Sequence, residues 1–329
     1  MNQSAHTAAT PASAAVSVFH SRRLTGIFMA TVGAILFAGK AVVVKLTYRY
    51  GIDSVTLIAL RMLFAAPFFV VVAWWQSRRA ARGEIPVLTR NECLQIWVLG
   101  LLGYYLSSFL DFLGLKYVSA GLERLILYLS PSMVVLIAAW WLKRRVTKRQ
   151  WTSMFVCYLG VVLVFAHDLA GNVKVEGNVP LGAFYVFLGA LTYAIYLTGS
   201  GELVKRVGAT RLVAYAMLVS CLASVIQYLC INPVDMLFQQ PVGVYGYSVI
   251  HATLNTVLPV FMLMWAVALV GAPTASLLSM VGPVSVLFMA AWLLDEPITP
   301  WQLMGTVLVL SGVFVLSGGA RHAKAAKAE

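Results

Sequence analysis

Two stretches of the chain decide its architecture: residues 139–161 read AWWLKRRVTKRQWTSMFVCYLGV, and residues 291–313 read AWLLDEPITPWQLMGTVLVLSGV. They stand 152 positions apart, and the same offset aligns 114–165 with 266–317 without a gap. An alignment of this length without insertions is typical of a duplicated structural unit. The chain is therefore predicted to contain an internal repeat.

The residues that coincide in the two copies include types that helices use sparingly. The clearest pairs are Pro131 with Pro283, Trp140 with Trp292, Thr147 with Thr299, Gln150 with Gln302, and Gly160 with Gly312. A second offset of 156 positions aligns the segments that come first in each copy, where the pairs are Gly26 with Gly182 and Gly33 with Gly189. The repeat thus extends over most of the chain.

The composition excludes a water-exposed globular surface. Of the 329 residues, 60% are hydrophobic and 11% are charged, and the mean hydropathy is +0.84, whereas soluble proteins carry about 25% charged residues. A membrane-spanning helix needs about 20 apolar residues, and segments of this kind recur. We predict an all-α polytopic membrane protein with ten transmembrane helices, at 24–46, 54–75, 93–113, 118–142, 151–166, 180–200, 211–231, 244–268, 273–294 and 301–317.

The ten spans divide into two units of five, and five is an odd number. Two consecutive copies of an odd number of spans enter the membrane from opposite sides, so the second copy is inverted relative to the first. We predict one repeat over 21–166 and the other over 167–317. A disordered cytoplasmic tail, 1–20, precedes them, and a basic cytoplasmic tail, 318–329, follows.

The formal net charge of +12 predicts the orientation in the membrane. With the N-terminus in the cytoplasm, the cytoplasmic segments carry seventeen of the 24 Lys and Arg residues, and the loops on the opposite side carry four. Positive charge accumulates in cytoplasmic loops, so both termini are predicted to lie inside. The excess of Lys and Arg over Asp and Glu then reflects the orientation of the chain in the lipid bilayer, and no nucleic-acid partner is expected. The sequence leaves both a monomer and a homodimer open.

Apart from Lys45 and Arg211, which lie at span ends and are counted above with the loops, five charged residues fall inside predicted spans: Lys40, Arg61, Asp111, Glu123 and Arg124. Ionisable residues within a membrane are costly and commonly serve function. Their counterparts in the second copy are all uncharged: Tyr196, Met217, Leu263, Ala275 and Ser276. The duplicated fold therefore does not require these charges, and we hypothesise a task that only one half performs. Three cations against two anions suit a substrate with a carboxylate or phosphate.

We expect Lys40 and Arg61 to contact the substrate. The other three residues, Asp111, Glu123 and Arg124, are candidates for proton coupling or charge pairing. The alternative is that the cations extend toward the membrane surface, while the acids form ion pairs at the rim of the span.

Uncharged residues supply the other candidates for substrate contact: Tyr104, Tyr196, His251 and Asn255. His251 and Asn255 are four residues apart and share a helix face, and Tyr196 is the counterpart of Lys40. His251 is also a candidate proton carrier, because imidazole titrates near neutral pH. The alternatives are helix packing for the tyrosines and a hydrogen-bonded, buried imidazole for the histidine.

Pro131 and Pro283 interrupt the fourth and ninth spans at matching places. A proline removes one helical hydrogen bond and bends or breaks the helix. We therefore predict a helix break or hinge at both positions, beside the central cavity. No spacing typical of metal ligands occurs, so neither a metal site nor a cofactor is predicted.

Two five-helix halves, each with a proline-containing helix, a short loop and a Gly-Val helix, resemble the EamA-like families of the drug/metabolite transporter superfamily. Residues 292–305, WLLDEPITPWQLMG, resemble the acidic-turn signature of these families, and Arg61 matches an arginine often found in the second span. The first half departs from the pattern, since Lys-Arg at 143–144 replaces Asp-Glu at 295–296. The resemblance covers 24–317.

The resemblance implies a secondary transporter of the bacterial inner membrane, with a substrate site between the two repeats and alternating access. It further implies export of a small metabolite, such as an amino acid or another anionic or zwitterionic amphipathic compound. Proton-coupled and uncoupled movement both stay open.

Two other classes of function compete with transport. A membrane-embedded enzyme needs catalytic groups, but the chain has neither H-E-x-x-H nor G-x-S-x-G, and it lacks the G-x-x-x-x-G-K-[ST] loop of ATP-driven proteins. A receptor or assembly protein without transport activity leaves the charges inside the spans unexplained.

Overall fold

The structure, a computed structural model, describes residues 11–325 except 142, 144, 171–177, 271–273, 276 and 277. The described residues form helices joined by loops and contain no β-strand. The helices are α1 (Pro11–Ala38), α2 (Lys40–Tyr48), α3 (Ser54–Ala81), α4 (Arg90–Gly100), α5 (Ser107–Leu115), α6 (Ala120–Leu127), α7 (Ser130–Trp141), α8 (Lys148–Leu169), α9 (Val179–Val207), α10 (Ala209–Ile231), α11 (Val242–Ala252), α12 (Leu258–Val270), α13 (Val281–Leu294) and α14 (Pro300–Ala325). Two π-helical segments, π1 (Leu101–Leu106) and π2 (Thr253–Val257), join α4 to α5 and α11 to α12.

Eight helical segments in the described part are long and apolar enough to cross a membrane, if helices that continue through a short interruption are taken as one. They are Arg23–Tyr48, Ser54–Ala81, Arg90–Leu115, Ala120–Trp141, Lys148–Leu169, Val179–Gly201, Ala209–Ile231 and Val242–Val270. These coincide with the first eight predicted spans. The last two predicted spans contain the shorter apolar helices Val281–Leu294 and Pro300–Val315. The prediction of an all-helical membrane protein is confirmed.

The two ends of the chain are more helical than the sequence suggested. Helix α1 begins at Pro11, so helix covers 11–20, where a disordered tail was expected. The physical reason is composition, because this segment is rich in alanine, the strongest helix former. Residues 1–10 lie outside the described residues. At the other end α14 continues to Ala325, into the predicted basic tail.

The fourth predicted span is broken in the middle of the bundle. Helix α6 ends at Leu127 and α7 begins at Ser130, just before Pro131. The hydroxyls of Ser130 and Ser132 donate to the carbonyl oxygens of Leu127 and Leu129, at 2.6 and 2.7 Å. The Leu127 carbonyl needs this bond because Pro131 has no N–H to donate, and a non-aqueous interior offers no other partner. The Leu129 carbonyl also accepts the backbone N–H of Met133.

The π-helical segments begin at positions 101 and 253, which are separated by the repeat offset of 152. A π-helical turn holds one more residue than an α-helical turn and is frequent at functional sites. Each segment therefore changes the direction of side chains at the same place in its half.

Four helix pairs make the most extensive contacts: α1 with α12, α3 with α10, α5 with α9, and α8 with α14. Each pair joins a helix from the first half of the sequence to one from the second. Glycine lets the backbones of α8 and α14 approach closely, since a Cβ atom on Gly160 of α8 would lie 2.8 Å from the carbonyl oxygen of Gly305 on α14. Small residues at helix interfaces are typical of membrane proteins. The two halves are thus interlocked.

The glycine contacts also follow the sequence repeat. Gly26 on α1 packs against residues 269–270, and Gly182 on α9 packs against residues 117–118. Gly182 stands 156 positions after Gly26, and 269–270 stand 152 positions after 117–118. The first helix of each half therefore packs on the equivalent part of the other half.

Large apolar side chains cover the outside of the bundle. Trp140 and Trp292, a repeat pair, are 85% and 81% exposed, and Phe155 and Phe288 are more than half exposed. Apolar surface on this scale is unfavourable in water but suits contact with lipid chains.

Candidate functional site

A cavity of about 490 Å³ lies inside the bundle, between helices from both halves. Its charged lining residues in the described part are Lys40, Arg61, Asp111 and Arg124. Its lining also includes Phe37, Tyr104, Tyr128, Tyr193, Leu197, Met217 and Leu263. Pockets that bind small molecules combine apolar walls with a few convergent polar groups in this way.

The cavity has a charged end and an apolar end. Lys40 and Asp111 mark the charged end, and Gly189 of α9 packs against Asp111 there. Leu197 lies eight residues further along α9, about 12 Å away at 1.5 Å per helical residue. Leu263 packs beside Gly33 of α1, seven residues before Lys40, and with Leu197 it lines the apolar end. A ligand that spans the cavity therefore meets charge at one end and hydrocarbon at the other.

Lys40 lies between two carboxylates. Its Nζ atom is 2.5 Å from Asp111 Oδ2 and 3.8 Å from Glu123 Oε1, and all three residues are buried. Lys40 is the first residue of α2, directly after Gly39, which adjoins the side-chain nitrogen of Asn255. Gly39 keeps helical backbone angles, and the Lys40 ammonium group extends toward α5 and α6, where the acids lie.

Two phenyl rings separate the three cations. The Arg61 guanidinium lies 4.9 Å from the Phe112 ring centroid, and Lys40 Nζ lies 5.9 Å from the same ring. Lys40 is also 6.0 Å from the Phe37 ring, and Arg124 is 5.6 Å from Phe37 on α1. Cations within about 6 Å of an aromatic ring are attracted to its face. The rings therefore stabilise cations that would otherwise repel one another.

Several polar atoms at the charged end have no hydrogen-bond partner among the described residues. They are Nε and Nη2 of Arg61, Nε of Arg124, Oδ1 of Asp111 and both carboxylate oxygens of Glu123. Arg124 Nη2 donates to the Phe37 carbonyl oxygen at 2.8 Å, so that guanidinium is partly satisfied. A buried polar group without a partner is costly unless water or a ligand binds it. Of the cations, Arg61 is the best placed to bind an anion.

Of the two residues predicted on one face of the eighth span, only Asn255 lines the cavity. Its Nδ2 atom donates to the Leu36 carbonyl oxygen at 2.5 Å, and its Oδ1 atom has no partner in the described part. His251 is fully buried behind the wall and stacks on Phe112, with ring centroids 5.3 Å apart. The imidazole thus supports the ring under Arg61 and does not face the cavity.

The predicted tyrosines meet at the cavity wall. The Tyr196 hydroxyl donates to the Tyr104 hydroxyl at 3.2 Å, and their ring centroids are 5.0 Å apart. Gly103 leaves room for the Tyr196 ring, so Tyr196 lies behind the wall while Tyr104 lines it. Tyr193 packs on Tyr196 and also lines the cavity.

The two prolines occupy equivalent places beside helix breaks. Pro131 is in the first turn of α7 and lines the cavity, and Pro283 is in the first turn of α13 behind the lining residue Gly282. Proline is compatible with the first turn of a helix because no partner for its nitrogen is needed there. The Tyr128 hydroxyl donates to the Ser279 carbonyl oxygen at 2.7 Å and joins the two breaks.

Sequence reasoning missed the aromatic residues that surround the charges. Phe37 lies three residues before Lys40, so helical spacing was a usable signal for it. Tyr193 could also have been found from the sequence, since it is the repeat counterpart of Phe37. Phe112 gave no signal, because a phenylalanine in an apolar helix is unremarkable until its ring is placed beside Arg61.

Comparison with known proteins extends over nearly the whole chain. The profile of the family described as "EamA-like transporter family" matches residues 24–166 and 180–318. The chain is 27% identical over 305 residues to an uncharacterized transporter, YcbK, of Bacillus subtilis, with 91% of this chain and 93% of that protein covered. It is 22% identical to an uncharacterized inner membrane transporter, YicL, of Salmonella typhimurium, with 92% and 98% covered.

A solved crystal structure has a similar fold. It superposes with a TM-score of 0.60 at 18% sequence identity and covers 92% of this chain and 98% of its own. At that identity the likeness concerns the fold alone. The apolar helices and the relatives together identify an integral membrane protein of the bacterial inner membrane.

Proposed function

We propose, given that the chain belongs to the EamA-like transporter family, that it is a secondary transporter whose substrate binds in the central cavity. The observation that carries this proposal is the Arg61 guanidinium, which is buried, lines the cavity and has nitrogen atoms without a hydrogen-bond partner in the described part. A cation that serves structure alone is expected to be paired. A cation that binds a passing anion has to be available to it.

The substrate class follows from the two ends of the cavity. Arg61 suits a carboxylate or another oxyanion, because guanidinium groups bind such anions through paired hydrogen bonds. Asp111 Oδ1 and Asn255 Oδ1 supply acceptors for an ammonium group. The apolar end suits a hydrocarbon or aromatic body. We infer a small amphipathic metabolite that is anionic or zwitterionic, such as an amino acid.

Lys40 takes a different place in this proposal from the one that the sequence suggested. Asp111 and Glu123 already surround it, so its charge is largely neutralised at the cavity wall. We propose that Lys40 sets the local charge and position of the two acids, and that Arg61 makes the main contact with the substrate.

The transport cycle that we propose is alternating access between two inverted five-helix repeats. The exchange of equivalent glycine contacts between the halves supports this symmetry, and so do the π-helical segments at matching positions. The loop charges favour an orientation with both termini in the cytoplasm. The helix breaks next to Pro131 and Pro283 are the proposed hinges, and export is the proposed direction.

Coupling to protons belongs to the same proposal. Glu123 and Asp111 are the proposed carriers, because both lie at Lys40, where binding or release of one proton changes the net charge beside the substrate. His251 is less suited to this role, since it lies behind Phe112 and outside the cavity lining.

The test is flux in proteoliposomes that contain the purified protein. A panel of radiolabelled amino acids and monocarboxylates is compared with neutral and cationic compounds of similar size. We expect uptake of at least one carboxylate compound, and we expect Arg61→Gln to lower its kcat/KM by at least about tenfold, since hydrogen bonds to charged groups contribute roughly 1.5–3 kcal/mol.

Arg82→Gln is the matched control, because Arg82 is an exposed arginine at the end of α3, away from the cavity. It is expected to leave uptake unchanged. Flux of cationic compounds alone, or equal flux in the Arg61→Gln variant, contradicts the proposed substrate class. Absence of flux for the whole panel, with hydrolysis of a panel member, supports an enzyme instead.

A further inference from the structure

The acidic turn that stands out in the sequence has a defined geometry between α13 and α14. Asp295 ends α13 in the left-handed conformation, with φ of 59°, and the Glu296 backbone N–H bonds to the Ala290 carbonyl oxygen at 3.3 Å. Thr299 and Gln302 then cap the start of α14 through reciprocal hydrogen bonds. The turn is therefore fixed on both sides, and the Glu296 side chain is directed inward with 10% exposure.

The Glu296 carboxylate connects two short helices of the other half. Its Oε1 atom is 2.5 Å from Lys45 Nζ on α2. Its Oε2 atom accepts the backbone N–H of Ala120, the first residue of α6, at 3.0 Å. A carboxylate is stabilised at the N-terminus of a helix by the N–H groups that have no partner within the helix and by the helix dipole. We call Glu296, Lys45 and the Ala120 N–H the latch.

The latch lies beside the charged end of the cavity. Helix α2 carries Lys40 five residues before Lys45, and α6 carries Glu123 and Arg124 within its first five residues. Separating α2 from α6 at this place would move the groups that line the charged end. The opposite, apolar end is lined by residues of α9 and α12, which the latch does not touch.

The sequence does not permit the same latch at the other end of the molecule. At the repeat offsets, the counterpart of Glu296 is Arg144 and the counterpart of Lys45 is Gly201. Arg144 has the opposite charge to Glu296, and Gly201 has no side chain to replace that of Lys45, so this ion pair is specific to one end. The duplicated fold does not need it, just as the fold does not need the charges in the cavity.

We propose that the latch is a gate, which holds the charged end of the cavity closed and must open once in each transport cycle. The role of the gate in a transport cycle rests on the proposed function, whereas its control of access to the cavity is tested without transport. The gate couples the second half, through the turn at Glu296, to α2 and α6, the helices of the first half that carry Lys40 and Arg124.

The first test measures access to the cavity and needs no substrate. Ser108 lines the cavity one turn before Asp111, so Ser108→Cys reports access after the four native cysteines are replaced. A charged, membrane-impermeant methanethiosulfonate is applied to vesicles from the side where Glu296 lies. We expect Glu296→Gln to raise the labelling rate by about tenfold, because loss of the latch shifts the population toward the open state.

Glu84→Gln is the matched control, since Glu84, like Glu296, pairs with a basic side chain, in its case Arg79, but is exposed in the loop after α3. It is expected to leave the labelling rate unchanged. An unchanged rate in a folded, monodisperse Glu296→Gln protein overturns the gate. If Glu296→Gln does not fold, Lys45→Met removes the same ion pair from its other side and is judged by the same criterion.

The second test closes the gate permanently. Lys45→Cys and Glu296→Cys are introduced together and joined by a short bis-methanethiosulfonate reagent. We expect flux in proteoliposomes to fall to background after cross-linking and to return after reduction. Full flux with the cross-link in place overturns the gate. If no compound shows flux but Glu296→Gln opens the cavity to labelling, the proposed transport fails while the conformational gate stands.

Discussion

The ion pair between Lys40 and Asp111 gives the most quantitative prediction. Asp111→Asn keeps the shape of the side chain and removes its charge. At an effective dielectric constant of about 20, the attraction between unit charges is roughly 7 kcal/mol at the 2.5 Å separation and roughly 4 kcal/mol at the 3.8 Å separation of Lys40 from Glu123. Lys40 therefore retains a partner, so the loss is smaller than for an isolated buried pair.

Breaking a buried pair by removing one partner costs about 3–5 kcal/mol, and the remaining Glu123 lowers this to about 2–4 kcal/mol for Asp111→Asn. Lys40→Met leaves two buried acids without their cation, and it should cost more. The double variant Lys40→Met/Asp111→Asn should be less destabilised than the sum of its parts, with a coupling free energy of at least about 1 kcal/mol.

The assay is equilibrium unfolding in mixed detergent micelles, followed by the fluorescence of the nine tryptophans. Asp235→Asn is the control, because Asp235 is exposed in the loop after α10 and its loss should change the free energy of unfolding by less than about 0.5 kcal/mol. An Asp111→Asn protein as stable as Asp235→Asn would show that the buried ion pair contributes nothing to stability. Additive effects of Lys40→Met and Asp111→Asn would show that the two side chains are not coupled.

Three further predictions concern the rings, the glycine contacts and coupling. Phe112→Leu removes the ring beneath Arg61 and Lys40 and should lower the free energy of unfolding by about 1–3 kcal/mol, measured as above; a change below about 0.5 kcal/mol argues against the cation–ring contacts. Gly160→Ala should lower the free energy of unfolding by about 1–3 kcal/mol, because the added Cβ atom would meet the backbone of α14. Gly246→Ala is the control, since its added Cβ atom would meet open space, and it should be neutral or stabilising. Equal effects of the two substitutions contradict the close packing of α8 on α14. Glu123→Gln should abolish uptake driven by a pH gradient but preserve counterflow exchange in proteoliposomes, and retained pH-driven uptake excludes Glu123 as the carrier.

The sequence was sufficient for the helical fold because periodic apolar segments and the repeat are properties of the chain alone. It also located the charges that line the cavity, since an ionisable residue in an apolar span is conspicuous. It could not tell which cation is paired. Lys40 and Arg61 look equivalent in sequence, and only the meeting of α2 with α5 and α6 places two acids beside Lys40.

The role of the acidic turn was likewise hidden from the sequence. Glu296 and Lys45 are 251 residues apart, so no local pattern connects them. Their contact depends on how the second half packs on the first. The depth of His251 was hidden for the same reason, because stacking on Phe112 is decided by the packing of α5 against its neighbours.

The proposed function requires the substrate to occupy the cavity between the two halves, and this occupancy is tested by protection of a cysteine placed in the cavity wall. Leu263, the repeat counterpart of Asp111, lines the apolar end, and Leu263→Cys is labelled with N-ethylmaleimide with and without a compound that shows flux. The account predicts that saturating compound slows this labelling by at least about tenfold, as expected when bound ligand occupies nearly every site, and leaves labelling of the exposed Cys93 unchanged. Equal labelling of Leu263→Cys with and without the compound would show that the substrate does not occupy this cavity.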